Sequence, residues 1–199
     1  SKTKPLSDLM EAYEAGQRHF GENYVQEAVE KAPQMPDDTR WHFIGHLQTN
    51  KVKKLVTACG VNLHMVETVD TVKLANALNR ACAAVRPDTE PLRVMVQINT
   101  SGEDSKSGLL PDDFLGVVNH VRDNCPLLRF TGLMTIGRLG EQRPECFQAL
   151  VDCRTQACQA LDLPEGEIEL SMGMSADFET AVAMGSTSGR VGSTVFGNR

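Results

Sequence analysis

Ser171-Met172-Gly173-Met174-Ser175 closes one apolar run late in the chain, and Arg190-Val191-Gly192-Ser193-Thr194 closes the next. In each, a strand-like segment breaks into Gly and Ser before a helical pattern begins. Such a break leaves backbone N–H groups unpaired at a helix N-terminus, where they bind anions without side-chain charge. One such turn alone is an ordinary strand-to-helix connection. Two in succession match the phosphate site that (β/α)8 barrels build from the loops after their last two strands. The pair predicts that fold if the rest of the chain supplies the strands.

Counting outward from these turns, apolar runs of strand length fall at 18–22, 41–45, 61–66, 92–99, 129–136, 167–172 and 189–192. They alternate with stretches of helical period, the pattern of repeated β-α units around a parallel sheet. Leu6, Leu9, Met10 and Tyr13 follow helical spacing behind Pro5 and stop at Gly16, a first-turn Pro with a terminal Gly. Val52, Leu55, Val56 and Cys59 mark the next helix. Leu74, Ala77, Leu78, Ala81, Cys82 and Val85 mark another, with Asp70 as its expected cap. Phe114, Val117, Val118 and Val121 follow Pro111-Asp112-Asp113, a first turn that the helix dipole favours. Phe147 to Leu161 gives a longer helix, and Phe178, Ala181 and Val182 a short one starting near Ser175. Seven strands are one short of a closed barrel. The expected fold is therefore an α/β TIM-type (β/α)8 barrel whose first strand, ending at Ser1-Lys2, is missing or truncated before Ser1. Nothing divides the chain, so residues 1–199 are expected to form a single barrel domain, with 33–39 a surface loop.

Composition narrows the partners. The 199 residues are 41% hydrophobic and 23% charged, which excludes a disordered or fibrous chain. A formal net charge of −6 argues against a nucleic-acid backbone as partner, while leaving room for a local anion pocket. Cys59, Cys82, Cys125, Cys146, Cys153 and Cys158 form no C-x-x-C pair and sit largely at apolar helical positions, so they are expected to be reduced thiols packed in a core. No window holds the roughly 18 apolar residues of a membrane span. These readings predict a cytoplasmic protein without membrane or nucleic-acid partners. Any targeting signal, including one for a mitochondrial pool, lies outside what the sequence displays.

Lys2 is the leading chemical candidate. At the C-terminal end of a barrel strand, facing a phosphate cradle, its amine can form a Schiff base with the aldehyde of pyridoxal phosphate or with a phosphorylated sugar. The attacking amine must be neutral, so its reference pKa of about 10.4 needs lowering by burial or nearby cations. Lys4 competes, because residues two apart share a face in extended chain. Pro5 places Lys4 at a helix start, where positive charge is disfavoured, and so turns it to solvent. Arg190 precedes the second cradle, within reach of a phosphate or of a cofactor ring nitrogen. Gly21-Glu22-Asn23, Trp41 to Gly45, and Gln97 to Thr100 each end a strand with polar groups and are expected to line the same mouth. His42 reads as a hydrogen-bonded core residue. His42, His46 and His64 lack metal-ligand spacing with nearby carboxylates, which predicts no metal.

Several linked motifs then add up to a family pattern. Ser1-Lys2-Thr3-Lys4-Pro5, Phe20 to Glu27, Trp41 to Gln48, Asn99 to Gly108, Gly132-Leu133-Met134 and Leu170 to Ser175 closely resemble the pyridoxal phosphate homeostasis proteins, the eukaryotic branch above all. The resemblance spans essentially the whole chain. It implies a barrel like the N-terminal domain of alanine racemase, with the cofactor on the first lysine of the motif, Lys2. It also implies phosphate contacts from Ser175, Gly192 and Ser193, Arg190 near the pyridine nitrogen, and Asn99 and Met134 along the pocket. Ser188-Gly189 departs from the Asn and β-branched residue usual before the Arg, which predicts a looser last strand and a less firmly aimed Arg190. The resemblance further implies a protein that holds pyridoxal phosphate and keeps its free level and amino-acid pools in balance, with apo-enzymes that use the cofactor as expected partners. A monomer or weak dimer is expected. The competing readings are a pyridoxal-phosphate racemase or lyase, which needs an acid or base opposite Lys2, a Schiff-base aldolase acting on a sugar phosphate, and a plain interaction scaffold.

Overall fold

Strands buried on both faces read as continuous apolar runs, and Val94-Met95-Val96 is wholly inaccessible to solvent. The computed structural model describes residues 1–103, 107–137 and 144–197. Its strands are β1 (His19–Glu22), β2 (Arg40–Phe43), β3 (Leu63–Val69), β4 (Leu92–Gln97), β5 (Leu128–Met134), β6 (Glu169–Met174) and β7 (Ser188–Arg190). All pair in parallel in sequence order and curl into a nearly closed barrel. The helices that cover it are α1 (Leu6–Glu14), α2 (Val25–Lys31), α3 (Val52–Cys59), α4 (Val72–Val85), α5 (Phe114–Asn124), α6 (Pro144–Leu161), α7 (Phe178–Ala183) and α8 (Ser193–Phe196). Every expected strand is present within a few residues of its expected limits. Ser1 lies beside β1, its nitrogen donating to Gly21 O at 2.9 Å.

Alternation along the strands sorts the core into two layers. Side chains such as Phe20, Trp41, Phe43, Val66, Val94 and Val96 face the helices and join one large cluster with Leu9, Leu55, Leu78 and Phe114. Met65, Met95 and Met134, packed with Ile136, form a separate cluster inside the barrel. All six cysteines are free and buried, as expected for packing residues. Burial pushes the Cys59 thiol up to about 12 and, with help from Asp152 and Asp112, the Cys153 thiol up to about 11.

Local rules explain where expectation and structure part. Asp70 does not cap α4; the Thr71 hydroxyl does, accepting from Leu74 N at 3.2 Å. Pro111 and Asp112 precede α5 as a turn, and the helix starts at Phe114 behind Asp113. α7 starts at Phe178, because Asp177 first turns the chain back, its carboxylate accepting from Met174 N at 2.6 Å. α2 and α8 are short and were not read from periodicity, which needs more turns than they have.

Candidate functional site

Parallel strands place all their C-terminal ends on one face, and the loops beyond them converge there. Lys2, half-buried, sits in a turn closed by Lys4 N donating to Ser1 O at 3.1 Å, with Thr3 at φ +62°. Among the described residues its ammonium has no hydrogen-bond or ion-pair partner, and it lies 5.4 Å from the centroid of the Tyr24 ring. That is cation–π range. Lys4 does not point to solvent. Its Nζ donates to Phe196 O at 2.7 Å and Gly197 O at 3.3 Å, because the carbonyls at the end of α8 offer a cation the acceptors that a helix start cannot. The two lysines that period two could not separate are thus distinguished by their partners.

The two turns after β6 and β7 meet. Ser175 Oγ accepts from Gly192 N at 3.1 Å and Thr194 N at 3.4 Å, so hydroxyl and backbone N–H groups converge on one point at the start of α8. Gly192 caps that helix, and Ser193, exposed, occupies its first position. A Cβ built on Gly192 would meet nothing within 4 Å, which leaves this backbone approachable from outside. Asn99, just past β4, orders its own loop: Oδ1 accepts from Ser101 N and Oγ, and Nδ2 donates to Glu103 O at 2.9 Å. Its motif continues through residues 104–106, which lie outside the described residues. Met134 ends β5 within the inner methionine cluster.

Arg190 is not loosely aimed. Although β7 has three residues, Nη1 donates to Ser171 Oγ and Nη2 to Thr135 O, both at 2.6 Å. Two fixed acceptors on β6 and after β5 replace the stiffness that Ser188-Gly189 withholds. Desolvation lowers the Arg190 pKa, while the charges of Glu67 and Asp177 oppose that shift. Behind it runs a buried polar chain. Ser171 Oγ donates to Glu67 Oε2 at 2.6 Å, and Glu67 Oε1 lies 2.8 Å from His42 Nδ1. Burial alone would raise the Glu67 carboxyl, but the bonds and charges of His42, Arg190 and Ser171 together hold it below its ordinary value.

Two expected mouth residues are elsewhere. Glu22 shares the helix-facing side of β1 with Phe20 and is 1% exposed, bonded to Lys31 Nζ of α2 at 2.9 Å and to Ser1 Oγ at 2.7 Å. His42 lies inside the barrel, as a hydrogen-bonded interior residue. Sequence reading missed Glu67 and Ser171 as supports for Arg190, because their pairing spans 104 residues and no local spacing signals it.

An α/β barrel with an available amine, a hydroxyl and N–H cradle after its last two strands, and a doubly held arginine defines a class of phosphate-ligand barrels. The family model described as "Alanine racemase, N-terminal domain" matches residues 6–199. Solved structures of the same shape include PipY of Synechococcus elongatus PCC7942, known without and with PLP bound. The two align at TM-scores of 0.84 and 0.80 and 34% identity, over 99% of this chain and 90% of theirs. Alanine racemase of Clostridium difficile 630 shares the fold, at a TM-score of 0.73 and 12% identity, over 98% of this chain and 48% of that one. The pyridoxal phosphate homeostasis protein of Mus musculus is 53% identical over the whole of this chain and 75% of its own length. That of Schizosaccharomyces pombe is 47% identical, covering all of this chain and 82% of the yeast protein. The chain belongs to the pyridoxal phosphate homeostasis protein family. No helix among the described residues is long and apolar enough to cross a membrane.

Proposed function

We propose that this chain binds pyridoxal phosphate at the C-terminal mouth of its barrel and serves as a homeostasis protein for that cofactor, with no turnover of its own. One observation carries the reading: Lys2 alone of the two motif lysines keeps an uncommitted amine, while Lys4 is spent on the carbonyls ending α8. The surrounding groups fit the cofactor's parts. Ser175 Oγ, the N–H groups of Gly192 and Thr194, and Ser193 at the first helical position supply donors for a phosphate. Ser175 Oγ now accepts the two N–H bonds that a phosphate oxygen can take over. Arg190 presents a fixed positive group from β7, and Asn99 and Met134 are the proposed wall of the pocket. When bound, pyridoxal phosphate supplies an aldehyde that condenses reversibly with a primary amine, releasing water. Lys2 is the amine this chain offers. PipY, 34% identical, has a structure with PLP bound.

Relatives named homeostasis proteins support holding rather than turning over the cofactor. Racemisation by two bases needs a second acid or base across the ring. Among the described residues the Lys2 amine lies over the Tyr24 ring, 5.4 Å from its centroid, and the exchange experiment below reads whether the Tyr24 phenol serves as that base. Apo-enzymes that use the cofactor are the proposed acceptors, the cytoplasm the proposed compartment, a single barrel domain spanning 1–199 the proposed unit, and a monomer or weak dimer the proposed state.

Borohydride reduction of the purified chain after loading, followed by peptide mass spectrometry, tests the site. A pyridoxyl group on Lys2 that disappears in Lys2→Ala and persists in Lys4→Ala supports the proposal. A chain that traps none, or that carries it on Lys4, overturns it. Incubating the loaded chain with an amino acid in deuterated water then tests turnover: catalytic exchange of the α-proton would move the racemase reading to the front.

A further inference from the structure

The opposite mouth of the barrel carries a cluster that the proposed function does not use. His19, the first residue of β1, stands beside His42 of β2 and His64 of β3, with one ligand nitrogen from each lying within 4.8 Å of the others. The rings face one another at centroid distances of 5.1 to 5.2 Å. His64 should alternate away from Met65 and Glu67. It joins the cluster because the register breaks between Trp41↔Leu63 and His42↔Met65, so that His64 is the extra residue of a bulge and is re-aimed.

We propose that His19, His42 and His64 form a binding site for a divalent transition-metal ion of the zinc class, with Glu67 as the partner that orients His42. Three imidazoles and an open side suit zinc, which takes three histidines and leaves a fourth position for solvent. His19 is exposed and gives the ion its way in. A zinc ion about 2.0–2.1 Å from each nitrogen spaces tetrahedral ligands about 3.3 Å apart. His19 Nδ1 and His42 Nε2 are 2.8 Å apart in a hydrogen bond, so the pair opens by roughly half an ångström as the ion replaces the shared proton. Metal-bound histidines donate their other ring N–H to a carboxylate or carbonyl, which fixes tautomer and orientation. His42 does so already: Glu67 Oε1 only accepts, so the proton of that 2.8 Å bond belongs to His42 Nδ1, which leaves Nε2 as the atom that faces the cluster.

The charges nearby fall on both sides. Arg40 and Arg93 disfavour a cation; Arg93 is paired with Glu169, and Arg40 is exposed and touches His19 Nε2 only at 3.5 Å. Burial, followed by the charges of neighbouring histidines and arginines, lowers the pKa of His19, and lowers that of His64 to about 4. Through His42, Glu67 and Ser171 the cluster also connects by hydrogen bonds to Arg190 at the other end of the barrel.

Co2+ is the probe, added to the full chain with any affinity tag removed and thiols kept reduced. One Co2+ per chain, with the intense visible bands of tetrahedral nitrogen coordination and no sulfur charge-transfer band, is the expected result. Zn2+ should displace it at one equivalent. His64→Phe and His19→Gln, at half-buried and exposed positions that tolerate change, should each abolish stoichiometric binding while circular dichroism stays that of the parent. Glu67→Gln should weaken binding by about 10–100-fold. No binding at one per chain, binding that survives both histidine variants, or a sulfur charge-transfer band from the cysteines overturns the proposal.

Discussion

Glu67 shows what a single buried group decides. Its two oxygens accept from His42 Nδ1 and Ser171 Oγ, and Ser171 in turn accepts from Arg190. The folded carboxyl titrates below the ordinary 4.5, so the unfolded chain binds the proton more readily, and the stabilisation is complete above pH 4.5 and lost as pH falls through the folded value. Glu67→Gln puts an amide N–H against one of these two donors, at an expected cost of about 1–3 kcal/mol at pH 7. Urea midpoints taken between pH 7 and pH 3, with a chelator present, should fall less steeply for the variant than for the parent; parallel curves would mean that the carboxylate contributes nothing. The cysteines make a second residue-scale case. With all six buried and Cys59 pushed up to about 12, a native chain at pH 8 should leave a thiol reagent unreacted over minutes that suffice for the urea-unfolded chain. Prompt labelling of the native protein would show that the packing around them opens. Burial of cysteines was legible from their apolar spacing, whereas Glu67 was not, since a carboxylate in an apolar strand finds its partners only after the barrel closes.

Strand spacing sets the strictest demands on single positions. A Cβ on Gly132 of β5 would stand 2.1 Å from the Glu169 backbone oxygen of β6, and one on Gly45 would stand 2.0 Å from Asn23 O. Neither neighbour is a side chain that can swing away. Gly132→Ala is therefore expected to exceed the usual overpacking cost of about 1–3 kcal/mol, and to lower the melting temperature far more than Gly116→Ala, which meets nothing within 4 Å on α5. Similar melting temperatures for the two would show that β5 and β6 can separate freely. A gentler change separates the two candidate caps of α4: Thr71→Ala should cost about 1 kcal/mol and Asp70→Ala should leave the helix terminus intact, read by urea unfolding. The middle strands were legible because β3, β4 and β5 are mostly apolar, and the long helices because each repeats its stripe several times. Caps were less so. Asp70 and Thr71 are adjacent and both suit a cap, and one backbone dihedral decides between them.

At the scale of the molecule, the candidate cofactor groups come from opposite ends of the chain, and one side chain joins those ends. Lys2 belongs to the first turn and Ser193 to the last helix; Lys4 reaches from one to the other across 192 residues to Phe196 O. That long-range bond could not be read from local spacing, which is why the sequence alone sent Lys4 to solvent while placing the barrel correctly. If Lys4 is the clamp that keeps amine and phosphate cradle at a fixed separation, its loss should weaken cofactor binding without touching the attachment point. A ligand at about 100 times its dissociation constant stabilises a protein by about 2.7 kcal/mol. For a domain of this size that corresponds to a rise of roughly 5–10 °C in Tm. Lys4→Met should still carry the trapped group on Lys2, yet need about tenfold more pyridoxal phosphate for the same rise in Tm, a loss of about 1.4 kcal/mol. An unchanged titration would show that the closed barrel holds the two ends together by itself. Loss of trapping on Lys2 would mean that Lys4 acts on the cofactor rather than on the chain.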